Sequence, residues 1–275
     1  MENFSQEVSV PMWSIMPRLA RFALCAFPLA ACAVSQQQEV ALGANSAAQV
    51  SAQLPLIRDA AVTSYMSSLG RQLVRVTDGR SLTWTFTVVD SKEVNAFALP
   101  GGWIYVNRGL IERATDMSEL AGVMAHEIGH VTRRHSMEQL QQAQQANVGV
   151  TLLCTLTKVC ESGASQAAIN VGGTALFAKF SRSDESEADA EAVSTTVKAG
   201  ISPRGIPTMF RTLLNERQSN SGAMSAFFAT HPLEEDRIES TEALIAKYPA
   251  NEINRLTRNT KAFEDFRRRL RSLPA

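Results

Sequence analysis

The sequence has no excess of either charge, because 27 Lys and Arg residues balance 27 Asp and Glu residues in a chain of 275. No global positive field exists to concentrate polyanions, so nucleic acid is not expected as a partner. Gly and Pro are scarce, at 15 and 10 residues, which excludes a collagen-like or low-complexity chain. No apolar run reaches the roughly 18 to 20 residues of a membrane-spanning helix. With 45% hydrophobic residues, the sequence predicts a globular domain.

The first 31 residues have the layout of an export signal. Arg18 and Arg21 precede an apolar stretch over 22–31 that is too short to span a bilayer. The stretch ends in Leu29-Ala30-Ala31-Cys32, which resembles a bacterial lipobox and predicts lipidation of Cys32. The alternative is a plain cleaved signal peptide. We predict a signal peptide over 1–31, a lipid-anchored tether over 32–52 and one folded domain over 53–275.

Lipidation would anchor the chain at the periplasmic face of the bacterial outer membrane. Residue 33 is Ala rather than Asp, which resembles the outer-membrane sorting class of enterobacterial lipoproteins. With a plain signal peptide, the protein would instead be soluble in the periplasm. Cys154 and Cys160 either pair in this oxidising compartment or stay as buried free thiols.

Hydrophobic periodicity predicts the elements of the first half of the domain. Apolar residues recur at steps of three and four over 57–76, which predicts an amphipathic helix. Residues 83–88 alternate polar and apolar, and Trp103–Val106 follows a Pro-Gly-Gly turn, so both segments are predicted strands. Asp116 and Glu119 form a capping box that begins a helix, which we extend through Gln145.

The second half of the sequence predicts helices alone. We expect a helical hairpin over 148–180, a helix over 184–198 and two or three helices after it. The basic run Arg267–Arg271 is interpreted as a solvated helix face. Together these elements predict an α+β fold that is mostly helical with a small sheet.

His126-Glu127-Ile128-Gly129-His130 lies within the helix that begins at Asp116. At about 100° per residue, the two imidazoles leave the helix about 40° apart and one turn apart, so both can bind one metal ion. Glu127 is offset by about 100° and can reach a water on that ion without being a ligand. The alternative is a pair of surface histidines without a ligand.

A catalytic zinc usually has three protein ligands, so a third must be found. His135 follows His126 by about 900° of rotation, which puts it on the opposite face of a continuous helix and predicts a packing or supporting role. Glu185 and Asp189 are four residues apart and share one helix face, so one can ligate while the other accepts a hydrogen bond from a ligating imidazole. Periodicity alone leaves Glu187 with Glu191 as an alternative pair.

Four segments resemble metallopeptidase family 48, a gluzincin family, over about residues 50–248. They are Asn95–Val106, Leu120–Val131, Ser181–Asp189, and Thr230-His231-Pro232 with Arg237-Ile238. The resemblance implies that 53–275 is a zinc metallopeptidase domain with one zinc ion per subunit and a small sheet packed on the HExxH helix. The likeness is to the compact lipoprotein form, without tetratricopeptide repeats.

The resemblance also assigns roles to individual residues. It implies that Glu185 is the third ligand beside His126 and His130, and that Asp189 supports the ligands. His231 either caps the open position of the zinc or donates to the oxyanion of the reaction, with a plain helix-entry residue as the third interpretation. Arg237 is expected to orient Asp189 or the substrate carbonyl.

We expect the substrate backbone to add as a strand along an edge formed by Trp103, Ile104, Tyr105 and Val106, which favours extended or unfolded chains. The resemblance implies an endopeptidase in which Glu127 activates the attacking water. Its expected role is quality control of envelope proteins. Expected partners are unfolded polypeptides, the membrane through the lipid anchor and outer-membrane assembly machinery. The alternatives are a lipid-anchored chaperone with a latent zinc site and a zinc hydrolase with a non-peptide substrate.

Overall fold

The computed structural model describes residues 34–143, 179–219, 227–228, 230–232 and 235–274. Within these ranges the protein is mostly helical with one small sheet, which confirms the predicted fold class. The predicted signal peptide, Cys32, Cys154, Cys160 and all but the last two residues of the predicted hairpin lie outside the described residues.

The chain order places the sheet between two groups of helices. The helices α1 (Gln36–Gln53) and α2 (Ala60–Val74) come first, followed by the strands β1 (Thr85–Val89), β2 (Ala96–Leu99) and β3 (Trp103–Asn107). The remaining helices are α3 (Arg108–Arg113), α4 (Met117–Arg133), α5 (Arg182–Lys198), α6 (Gly205–Ser219), α7 (Glu235–Ile245), α8 (Ala250–Ile253) and α9 (Lys261–Ser272).

The three strands form one sheet in the order β1-β3-β2. β3 pairs parallel to β1, with Thr85 opposite Trp103, and antiparallel to β2, with Ala96 opposite Val106. The turn between β2 and β3 needs positive φ angles, 80° at Gly101 and 114° at Gly102, which glycine adopts without steric cost. The Pro-Gly-Gly sequence therefore closes a hairpin rather than only introducing a strand.

The predicted substrate edge, formed by Trp103, Ile104, Tyr105 and Val106, is wrong. These residues belong to β3, which is the central strand, so a strand of the same protein pairs with each of its sides. β2 was missed as a strand because it has only four residues and no clear alternation. The two edge strands are β1 and β2, and β2 packs against α4.

The predicted tether also differs from the structure, because residues 36–53 form α1. Ser35 and Gln38 form its capping box, and the helix packs on the sheet through small residues. A Cβ at Gly43 would lie 1.8 Å from the Pro100 carbonyl oxygen, so only glycine permits this approach. Such a helix lacks the apolar stripe that periodicity detects. The lipid anchor before it stays a prediction.

The helix α4 is the centre of the core and carries the HExxH residues. Asp116 caps it by accepting hydrogen bonds from the backbone N–H groups of Ser118 and Glu119, which confirms half of the predicted capping box. The other half is wrong, because the Glu119 carboxylate accepts from the backbone N–H and the hydroxyl of Thr115 instead of the Asp116 N–H. Every residue from Met117 to Val131 is buried, against α2, the sheet, α5 and α6. The predicted continuation to Gln145 is wrong, because Arg134 adopts the left-handed conformation, with φ 64°, and ends the helix. Helical residues resume at 135.

The C-terminal basic run is only partly the solvated face that the sequence suggested. Phe263, Phe266 and Leu270 bury one side of α9 against α2. Arg269, beside this face, pairs with Asp59, the capping residue of α2, at 2.7 Å. Among the described residues, no helix combines the length and the apolar character needed to cross a membrane.

Candidate metal centre

His126 and His130 present their rings together on one face of α4. Their Nε2 atoms are 3.0 Å apart, as the one-turn spacing predicts, and their side chains are buried, with 5% and 1% of the residue surface exposed. Phe180 stacks on the His130 ring with 3.9 Å between centroids. The two nitrogens therefore point at the same small volume inside the protein.

The helix α5 supplies a carboxylate to that volume. Gly129 permits close packing of the two helices, because a Cβ there would lie 3.3 Å from the Cα of Ala188. The two oxygens of Glu185 each lie 3.5 Å from an imidazole, Oε2 from His126 Nε2 and Oε1 from His130 Nε2. Of the two acidic pairs that periodicity left open, the structure thus places Glu185, and not Glu187, beside the histidines.

His231 closes the group from a third direction. Its Nδ1 lies 2.9 Å from Glu185 Oε1 and its Nε2 lies 3.5 Å from Glu127 Oε1. His126, His130, Glu185 and His231 each offer one ligand atom, and these four atoms all lie within 4.8 Å of one another. Nitrogen and oxygen donors at this spacing can hold a metal ion, and His231 offers the fourth donor atom.

Asp189 and Arg237 hold the ligands from behind. Asp189 Oδ1 lies 2.9 Å from His126 Nδ1, the ring nitrogen that points away from the cluster. Arg237 donates to both oxygens of Asp189, from Nε at 2.8 Å and from Nη2 at 2.7 Å, while its Nη1 lies 2.5 Å from Glu185 Oε2. One guanidinium therefore fixes both the supporting and the ligating carboxylate of α5.

The electrostatics of the site favour an ionised Glu185 and a protonated His126. Burial raises the pKa of Glu185, but the charge of His231 and hydrogen bonds from His126 and His130 outweigh it and hold this pKa well below its usual range. Burial lowers the pKa of His126, but hydrogen bonds to Asp189 and Glu185 raise it to about 10. For His130 the burial effect wins, and its pKa lies well below the ordinary value.

Glu127 differs from the other acidic residues of the site. Only 1% of its surface is exposed, and within the described residues neither carboxylate oxygen has a hydrogen-bond partner. Burial raises the pKa of its carboxyl above the usual range. A buried carboxylate without partners is costly unless a cation or water satisfies it. Together with the imidazole and carboxylate donors, it shows that these residues fit a divalent metal ion with a water beside Glu127.

The structure therefore brings together most of the residues that the sequence singled out. His126, His130, Glu185 and His231 form the donor group, Glu127 lies at its side, and Asp189 and Arg237 lie behind it. Sequence reasoning missed Phe180, which no local pattern marks as a neighbour of His130. It also misplaced His135, since the end of α4 at Arg134 turns its ring back to His130 at 2.8 Å.

Comparisons with known proteins agree with this geometry. Residues 60–245 match the model of peptidase family M48. The chain is 30% identical over 236 residues to the beta-barrel assembly-enhancing protease of Escherichia coli, covering 83% of this chain and 47% of that protein. It is also similar to two metalloproteases of the same organism, YcaL (30% identity, 67% of this chain and 73% of that protein) and LoiP (31% identity, 56% and 60%). The chain thus spans less than half of the assembly-enhancing protease.

The protonation of His126 predicts a pH dependence of metal binding. A histidine ligand must be neutral, and the carboxylates keep His126 protonated up to about pH 10 when no ion is bound. Binding at neutral pH must therefore release this proton, so the apparent affinity should rise about tenfold per pH unit between about pH 6 and pH 8. Competition between the protein and a chelating dye for Zn²⁺, measured at several pH values, tests this.

The matched variant is Asp189→Asn, which keeps the shape of the side chain but removes its charge. The pKa of His126 should then fall, and the rise of affinity with pH should flatten at the upper end of the range. A wild-type affinity that does not change with pH would contradict the assignment of His126 as a ligand that exchanges a proton for the metal.

Proposed function

The chain belongs to peptidase family M48 and is a metalloendopeptidase of that family, and we propose that it uses zinc to cleave unfolded or misassembled proteins of the cell envelope. One observation carries the proposal. Glu127 is a buried carboxylate without a hydrogen-bond partner among the described residues, it lies beside the donor group, and it is not itself one of the donors. A site that only binds its metal has no need of such a group.

Each residue of the site has its own role in the proposed reaction. When bound, a zinc ion polarises a peptide carbonyl and activates water at neutral pH. Glu127 accepts the proton of the attacking water and returns it to the leaving amine. The raised pKa of its carboxyl suits the first of these transfers, since it makes the carboxylate a stronger base toward the attacking water. Asp189 and Arg237 keep His126 and Glu185 in place.

We assign the substrate-binding edge to β2 instead of β3. The Asn107 N–H donates to the Asn95 carbonyl, and in an antiparallel pair the bonding direction alternates from residue to residue. Ala96 and Ala98 therefore direct their backbone N–H and C=O groups away from β3. An extended substrate can add along this edge, which favours unfolded chains over folded ones.

The envelope role is supported by the sequence of the amino terminus and by the relatives. The lipobox-like residues that end at Cys32 support a lipid anchor at the periplasmic face of the outer membrane. One relative is named as a protease that enhances beta-barrel assembly, which supports misassembled outer-membrane proteins as substrates and their assembly machinery as a partner.

A second candidate is a lipid-anchored chaperone with a latent zinc site. It is favoured by His231, because catalytic zinc sites usually keep one position open and His231 provides a fourth protein donor. In that case the edge of β2 would hold unfolded chains without cutting them. Glu127 favours the protease, since holding a chain requires no general base.

The variant Glu127→Gln tests the peptidase assignment. Gln keeps the size of the side chain but cannot take up a proton, so kcat should fall by about 100- to 10,000-fold while bound zinc stays near one ion per chain. The measurement pairs zinc content by metal analysis with cleavage of an unfolded protein by wild type and variant. Chelation should abolish the wild-type activity. Equal cleavage by the two proteins would remove Glu127 from the mechanism.

The variant His231→Ala separates protease from chaperone. If His231 closes the fourth position, its removal should increase cleavage of the same unfolded protein, because a substrate carbonyl can then reach the site. A loss of activity would show that His231 assists the reaction instead. If neither wild type nor His231→Ala cleaves while both hold zinc, the chaperone becomes the better description.

The variant Ala98→Pro tests the substrate edge. Proline lacks the N–H that the substrate backbone would accept, and an edge strand tolerates it. One lost hydrogen bond predicts a fall in kcat/KM of about five- to tenfold, mainly through KM. Ala98→Ser is the matched control, since it keeps the N–H. If both variants cleave an unfolded protein as wild type does, the substrate does not bind along β2.

A further inference from the structure

The ring of His130 is held by a second histidine. His130 Nδ1 lies 2.8 Å from the Nδ1 of His135, which is buried, with 2% of its surface exposed. When His130 Nε2 binds a metal ion, the ring proton is left on Nδ1, where it can donate to His135 Nδ1. Metal-ligating histidines usually donate their second ring nitrogen to an acceptor that fixes the ring, and for His126 that acceptor is Asp189. His135 takes this place for His130.

An unusual backbone conformation brings His135 next to His130. On a continuous helix its side chain would point away from His126 and His130. Arg134 ends α4 with φ 64° and ψ 27°, a left-handed conformation that a residue with a side chain rarely adopts. Such a conformation persists only where surrounding contacts hold it.

The contacts that hold Arg134 come from α1. Glu39, with 1% of its surface exposed, places Oε2 2.8 Å from Arg134 Nε. The same carboxylate accepts two hydrogen bonds from Arg80 Nη1, at 3.1 and 2.9 Å, and Arg80 Nη2 donates to the Val131 carbonyl at 2.7 Å. Arg134 Nη2 also donates to the Val34 carbonyl at 2.5 Å. A buried carboxylate of α1 thus ties together the last turn of α4 and the residue that ends it.

We propose that His135 is a positioning residue for the metal ligand His130, and that Glu39 of α1 holds it there through Arg134. The proposal rests on the metal site and deepens the proposed function. Its tests measure binding of the metal alone, so they can succeed or fail independently of peptidase activity.

The first test compares His135→Leu with His135→Asn. Leu fills the space but accepts no hydrogen bond, so Zn²⁺ affinity should fall by about 10- to 100-fold, the usual effect of losing such a support. Asn can place its Oδ1 near the position of the lost Nδ1 and should restore most of the affinity. Affinity is measured by competition with a chelating dye. The absorption spectrum of the Co²⁺-loaded protein should shift with Leu and not with Asn, because it reports ligand geometry.

The second test is a double-mutant cycle with Glu39→Gln. If Glu39 acts through His135, neutralising it weakens Zn²⁺ binding in the wild-type background and has no further effect in His135→Leu. The matched control is Asp90→Asn, which neutralises one of the two acidic partners of the buried Arg108, away from the metal site. It should lower the melting temperature without changing Zn²⁺ affinity. If Glu39→Gln does not fold, Arg134→Met tests the same link, because Glu39 keeps its bonds to Arg80.

Two results would overturn the proposal. If His135→Leu binds Zn²⁺ as wild type does, His135 does not position the ligand. If Glu39→Gln lowers affinity equally in both backgrounds, or changes only the melting temperature, Glu39 stabilises the fold and does not act through His135.

Discussion

The close packing of α5 on α4 at Gly129 is the contact on which the site depends. Gly129 lies inside the HExxH segment, between the metal ligands, where a side chain would press on the backbone of Ala188. The resulting approach brings Glu185 to the imidazoles and puts Asp189 behind His126. Both helices are buried along this contact. The positions of the donor atoms therefore depend on the packing of the two helix backbones as well as on the side-chain rotamers.

Charge balance explains why such a polar group can be buried. Three carboxylates, those of Glu127, Glu185 and Asp189, face the single guanidinium of Arg237, so three negative charges less one positive leave a charge of −2 if all are ionised. Uncompensated charge is expensive in the interior. A divalent cation balances it. When no ion is bound, protons supply the compensating positive charge, which agrees with the raised pKa values of His126 and Glu127.

The sequence could predict the features of the site that depend on a single helix. The spacing of His126 and His130, and of Glu185 and Asp189, fixes which side chains share a face, and the structure places both pairs accordingly. The errors concern contacts between distant segments. β3 became central because β2 folds back on it through the turn at Gly101, and α1 packs through Gly43 without an apolar stripe. Neither partner is visible in the local pattern of the segment itself.

His231 differs from the other donors in what holds it. It lies on neither α4 nor α5. Among the described residues, its Nδ1 contacts Glu185 Oε1 at 2.9 Å, and its ring packs near Phe180 and Phe227, with centroids 5.4 and 5.3 Å away. The packing at Gly129 and the bonds between Arg237 and Asp189 do not involve His231. His126, His130 and Glu185 therefore keep these supports whichever role His231 has.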